Sequence, residues 1–141
     1  MALPSRGDAV ALTRALVAMD SRNPSLTPDS AGEGACARAL AETLGTWGFR
    51  VALVESAPGR PNVVARIGRS GGRTLMFNGH LDTVGVAGMT HAPFDPVFAD
   101  GNIYGRGSCD MKGGVAAMCA AATDAADAGI DGEIVIAAVT D

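Results

Sequence analysis

Two short stretches hold the residues best suited to chemistry. In Gly79-His80-Leu81-Asp82-Thr83-Val84, an imidazole is followed two positions later by a carboxylate, just after the apolar run Thr74-Leu75-Met76-Phe77. Residues i and i+2 of an extended strand point to the same side, so His80 and Asp82 are expected to face one space. Further on, Gly105-Arg106-Gly107-Ser108-Cys109-Asp110-Met111-Lys112-Gly113-Gly114 offers a second carboxylate, a hydroxyl, a thiol and an amine. Three readings fit this set. His80 and Asp110 could ligate a metal, with Asp82 fixing the tautomer of His80 from behind. Ser108 or Cys109 could act as a nucleophile, with His80 as base and Asp82 as its orienter. Or the set is polar loop and carries no reaction.

A phosphate cradle fits the glycine-rich stretch poorly. A P-loop continues Gly-Lys-Ser/Thr, whereas Lys112 is followed by Gly113. A dinucleotide turn needs a glycine where Asp110 stands, and a carboxylate there repels a pyrophosphate. The glycines are instead expected to let the chain bring a carboxylate close to something positive. His91, beside Pro93-Phe94, reads as a loop-packing histidine, with metal ligation as the alternative. Lys112 reads as a helix-start or structural charge rather than a catalytic amine. Arg106 either pairs with a carboxylate or anchors the loop.

The elements that must position these residues follow from spacing. Leu12, Ala15, Leu16 and Met19 recur at helical intervals, in a helix expected from Asp8 to before Asn23-Pro24. Asn23 to Asp29 is expected to be a loop. Ser30-Ala31-Gly32-Glu33 has the form of a capping box for a second helix. That helix carries Cys36, Leu40, Leu44 and Trp47 on one face and stops at Gly48. Cys36 there reads as a small core residue. Strands are expected at Arg50–Val54, Asn62–Ile67 and Thr74–Phe77, the last two joined by Ser70-Gly71-Gly72 as an antiparallel hairpin. Asp100-Gly101 marks a tight hairpin. Met111, Val115, Met118 and Ala122 share a face of a third helix that ends at Gly129, and a last strand runs from Glu133 to Val139. This order implies an α/β layered domain with a mixed sheet. In such sheets active groups gather beyond the carboxyl ends of strands. His80, Asp82 and Asp141 fall at such ends, and Asp110 lies in the loop opening a helix.

Composition bounds the partners. The 141 residues suffice for one domain with a core, and the net charge is only −4. No basic stripe with stacking aromatics is visible, so nucleic acid is not an expected partner. The longest apolar run, Val115 to Ala122, is too short to span a bilayer, so no membrane role is expected. Three cysteines without a CxxC pair, and a start lacking a signal-peptide pattern, point to a reducing, cytoplasmic setting.

Taken in order, the Gly79–Val84 stretch, Pro93-Phe94, Asp100-Gly101, Tyr104-Gly105-Arg106-Gly107 and Cys109-Asp110-Met111-Lys112-Gly113-Gly114 resemble the M20 family of metallohydrolases. That family includes acetylornithine deacetylases, succinyl-diaminopimelate desuccinylases, aminoacylases and glutamate carboxypeptidases. The resemblance implies a three-layer catalytic α/β domain of the zinc-exopeptidase type, interrupted by a smaller domain that mediates homodimerisation. It implies two zinc ions, replaceable by cobalt or manganese, with His80 as a terminal ligand, Asp110 as the bridging carboxylate and Asp82 orienting His80. It also implies a non-proline cis peptide at Asp110–Met111. In the family, the segment resembling Ile134–Asp141 runs into a Glu-Glu pair, a general base and a further ligand. Residues 1–141 are therefore expected to be the N-terminal part of the catalytic domain, inactive alone, without the inserted dimerisation domain or the C-terminal part. The favoured activity is removal of an N-acyl group from an amino acid. An M20-type dipeptidase or carboxypeptidase acting on a short peptide is the alternative, and a non-catalytic scaffold is a further one.

Overall fold

Capping chemistry and glycine stops delimit the helices. In the computed structural model, which describes residues 3–140, α1 spans Ala9–Val17 and α2 spans Gly34–Thr46. Asp8 caps α1 as expected, its Oδ1 accepting from the Ala11 N–H at 2.9 Å. Gly48, at φ 91°, ends α2 in a Schellman arrangement: Phe49 N–H donates to the Leu44 carbonyl and Gly48 N–H to that of Gly45.

The start of α2 departs from expectation. Ser30 and Glu33 form no capping box; Ser30 Oγ donates to the Arg22 carbonyl, and α2 begins after Glu33. Glu33 is fully buried and accepts from Arg60 Nε at 2.7 Å, so a buried ion pair takes the side chain that the box would use.

Strands β1 (Arg50–Ala57), β2 (Arg60–Gly68), β3 (Arg73–His80) and β6 (Gly132–Val139) form one sheet in the order β1-β2-β6-β3. β4 (Val97–Ala99) and β5 (Asn102–Tyr104) make a separate hairpin across Asp100-Gly101, both at positive φ. The expected hairpin between β2 and β3 does not form. β6 lies between them, antiparallel to β2 and parallel to β3. Its run Ile134-Val135-Ile136-Ala137-Ala138 is buried on both faces, which suits a central strand. β3, with Leu75 and Met76 over half exposed, suits an edge.

α1, α2 and α3 (Gly113–Asp127) share one core with the sheet face that carries Val63, Ala65, Ile67, Ile134, Ile136 and Ala138. Val115, Cys119 and Ala122 of α3 are fully buried there, with Met111 and Met118 partly so. The opposite face leaves Val54 and Met76 half exposed. Among the described residues the layers are therefore two, a mixed sheet and one tier of helices. The parallel pairing sets His80 opposite Val139, with Leu81 N–H donating to the Val139 carbonyl. His80 thus stands at the carboxyl end of two neighbouring parallel strands. Asp141, expected at the same end, lies outside the described residues.

Candidate metal centre

His80 is the last residue of β3, and its ring is fixed from two sides. Nδ1 lies 3.0 Å from the main-chain carbonyl of Asp82. A carbonyl only accepts, so Nδ1 carries a hydrogen and Nε2 faces Asp110, as an N–H donor in the imidazolium or as a coordinating nitrogen where a cation takes the place of that proton. Asp82 Oδ1 lies 3.4 Å from Nδ1 and is buried without a hydrogen-bond partner. That distance is an electrostatic contact and not a hydrogen bond, leaving a negative charge behind the ring. Asp82 Oδ2 accepts from Asn23 Nδ2 at 2.9 Å.

Asp110 approaches from the other side, its Oδ1 3.0 Å from His80 Nε2. Its carboxylate is 83% exposed, so nothing covers its outer side among the described residues. It sits in the loop 108–112, where Asp110 has the extended angles φ −126° and ψ 98°. The Asp110–Met111 peptide is cis, as the resemblance implied. The glycines act here by permitting close approach. A Cβ on Gly107, at φ 81°, would stand 2.6 Å from Thr83 Cγ2, and one on Gly113 would stand 2.5 Å from the Ser108 carbonyl oxygen. The loop can therefore lie directly against the segment that follows His80.

Burial pulls the pKa of His80 down, but the hydrogen bonds to Asp110 and to the Asp82 carbonyl, with the charges of both carboxylates, outweigh it and leave the imidazole raised. The ring is thus built to sit beside positive charge, a proton or a cation. The donor set suits a metal: imidazole Nε2 and a carboxylate oxygen lie close enough to share one ion at zinc-like bond lengths of about 2.0–2.2 Å. Among the described residues no group of three or more His, Cys, Asp or Glu side chains gathers to hold an ion. The pair is therefore an open site that needs further donors.

Around the pair lies a cavity of about 320 Å³, lined on its far side by Leu26, Thr83, Val84 and Arg106. A larger groove of about 680 Å³ runs along α1 and Phe94–Pro96, but its lining contains neither His80 nor Asp110. Ser108 and Cys109 line the smaller cavity, yet neither side chain bonds to His80, whose two nitrogens are already engaged by Asp110 and Asp82. The nucleophile arrangement is not assembled. His91 packs edge-on against Tyr104, 6.1 Å between ring centres, and does not line the cavity. The main-chain N–H of Arg106 donates to the Pro93 carbonyl at 2.7 Å, which anchors the loop.

One supporting residue escaped the sequence reading, and a second, Lys112, reads there as a structural charge without its burial or partners. Asn23 was expected only in a loop, and nothing in Asn23-Pro24 signals a bond to Asp82. Lys112 is fully buried, with Nζ donating to the carbonyls of Leu16 at 2.8 Å and Met19 at 2.9 Å. A signal for it existed: Lys112 falls three, four and seven positions before Val115, Ala116 and Cys119, all buried, and so lies on the apolar stripe of the helix.

Known proteins share this chain's sequence pattern and fold. Residues 76–141 match the profile of Peptidase family M20/M25/M40. The succinyl-diaminopimelate desuccinylase of Gluconacetobacter diazotrophicus is 42% identical over 120 residues, covering 84% of this chain and 30% of that protein. The chain belongs to the M20 peptidase family. Human carnosine dipeptidase 1 superposes with a TM-score of 0.74 at 26% identity, over 95% of this chain and 32% of that one. An M20 family metallo-carboxypeptidase from Sulfolobus solfataricus shares the fold, with a TM-score of 0.79 at 22% identity over 94% of this chain and 30% of its own. The chain spans about 30% of the length of the curated M20 relative it matches.

Proposed function

We propose that this chain carries part of the metal site of an amide hydrolase that removes an N-acyl group from an amino acid. His80 Nε2 is a terminal ligand, Asp110 is the bridging carboxylate and Asp82 orients the imidazole. The observation that carries the reading is the 3.0 Å approach of Nε2 and Oδ1, with Nδ1 committed to Asp82. The family resemblance makes the occupant two zinc ions, which cobalt or manganese could replace. Bound, such a pair supplies Lewis acidity toward a scissile carbonyl and lowers the pKa of water.

The chain's own residues then have separate tasks. The Asp82 carbonyl holds the Nδ1 hydrogen, so the ring presents Nε2 outward. The buried Asp82 carboxylate makes the ring a better donor. Asp110 has one oxygen toward His80 and an exposed carboxylate free to reach a second ion. Thr83, Val84 and Leu26 border the cavity beside the pair, where the acyl group would lie. Proton transfer would fall to a glutamate outside residues 1–141, as the family resemblance implies.

Identity to succinyl-diaminopimelate desuccinylases supports an N-acyl amino acid as substrate. The likeness to carnosine dipeptidase 1 supports the second reading, a dipeptidase. A homodimer and a cytoplasmic setting are part of the same proposal; among the described residues no helix is long and apolar enough to cross a membrane. The test is hydrolysis by the zinc-loaded full-length protein of N-succinyl and N-acetyl amino acids against a dipeptide. Faster turnover of the acyl amino acids, lost in His80→Ala, is expected. Preference for the dipeptide overturns the deacylase reading, and an active His80→Ala overturns the site.

A further inference from the structure

We infer that residues 16–23, the end of α1 and the segment after it, set the spacing between His80 and Asp110, with Lys112 as the positioning residue on the Asp110 side. The inference rests on the metal reading above and assigns a role to residues that reading does not use.

The segment reaches both halves of the site. On the His80 side it runs beside residues 81–83 as a short parallel ladder. Thr83 N–H donates to the Ser21 carbonyl at 2.9 Å, and Asn23 N–H to the Thr83 carbonyl at 2.8 Å. Ser21 Oγ donates to the Leu81 carbonyl at 2.8 Å, and Asn23 Nδ2 holds Asp82. On the Asp110 side the link is Lys112. Its ammonium sits just past the C-terminus of α1, where the last carbonyls and the helix dipole favour a cation. Its own N–H donates to the Gly107 carbonyl at 2.9 Å, closing the loop that carries Asp110.

Asp110 needs such a device. Among the described residues its carboxylate has a hydrogen bond and ion pair only with His80, and it is mostly exposed, so polar contacts of its own do not fix where it stands. Its position comes from the backbone, and the nearest fully buried side chain along the chain is Lys112. The geometry also excludes a catalytic amine. Lys112 Nζ is engaged by the carbonyls of Leu16 and Met19, and Lys112 does not line the cavity around His80. Removing the ammonium frees the loop end and lets Asp110 drift from Nε2, without altering either donor.

The test is zinc affinity, measured on the purified protein by competition with a chromogenic chelator, for wild type, Lys112→Met, His80→Ala and Ile67→Ala. Ile67 is a core residue of the sheet end away from His80, so its truncation lowers stability without touching either ligand loop. Lys112→Met is expected to weaken zinc binding by about tenfold or more. Ile67→Ala is expected to leave zinc affinity within roughly twofold at a comparable loss of melting temperature. Wild-type zinc affinity in a folded Lys112→Met overturns the inference, and so does an equal loss in Ile67→Ala. If Lys112→Met does not fold, Lys112→Gln, which keeps a polar donor, is read in its place. It is expected to lose part of the affinity, and wild-type affinity there contradicts the clamp. Loss in His80→Ala with none in Lys112→Met leaves the metal reading standing, whereas retention in His80→Ala sinks the metal reading itself.

Discussion

His80 and Asp110 stand 3.0 Å apart but are held in opposite ways. His80 ends a strand, its backbone fixed by the β3–β6 register and its ring by the Asp82 carbonyl. Asp110 sits exposed on a glycine-rich loop, and its position comes from an ammonium buried two residues away. A strand end places a donor through the sheet, so its accuracy comes with the fold. A loop donor needs a separate anchor, and here that anchor is a cation seated on helix carbonyls. The two halves meet because one segment, residues 16–23, supports both.

The largest expected effect is on the donor itself: His80→Ala should weaken zinc binding on the order of a thousandfold, about 4 kcal/mol, in chelator competition. Lys112→Met comes next as a stability effect. It removes two charge-assisted hydrogen bonds from a buried ammonium and should lower the unfolding free energy by about 3 kcal/mol, read from urea midpoints at constant m-value. Asn23→Ala removes a donor to the buried Asp82 carboxylate and should cost about 1–2 kcal/mol by the same measurement. A smaller loss in Asn23→Ala than in Lys112→Met supports the contrast, since the strand end keeps its register without Asn23. The reverse order would contradict it.

The smallest effect concerns Asp20, which brackets the supporting segment through Arg22. The Arg22 guanidinium, bonded to its carboxylate, is the main cause that holds Asp20 below its ordinary value of 3.8, against some desolvation. A depressed carboxyl stabilises the fold above the unfolded value and loses that contribution as pH falls through the folded one. Because the pair is partly exposed, Asp20→Asn should cost under about 1 kcal/mol at neutral pH. The difference from wild type should vanish once the pH falls below the folded value, read from paired urea titrations.

What the sequence made legible was local. Asp8, Gly48 and the Asp100-Gly101 turn announce their roles in the residues themselves, because caps and turns are decided within a few positions. The His80–Asp110 pairing was legible through the motif resemblance; spacing alone left a nucleophile and an inert loop open. The arrangement of strands was not legible. β6 inserts between β2 and β3 from over fifty residues away, and a short glycine turn looks the same whether or not a strand intervenes. Ser30 and Glu33 misled for the same reason, since Arg60, distant in sequence, claims Glu33. Lys112 was visible as a charge, but its partners are the carbonyls of Leu16 and Met19, ninety residues earlier.

The proposed metal centre requires His80 and Asp110 to donate to the same cation. X-ray absorption at the zinc edge of the zinc-loaded protein tests it directly. The expected spectrum shows imidazole scattering and a nitrogen/oxygen shell at about 2.0–2.1 Å, with the imidazole feature lost in His80→Ala. A sulfur shell at about 2.3 Å, from the exposed Cys109 beside Asp110, or an imidazole feature that survives in His80→Ala, would contradict it.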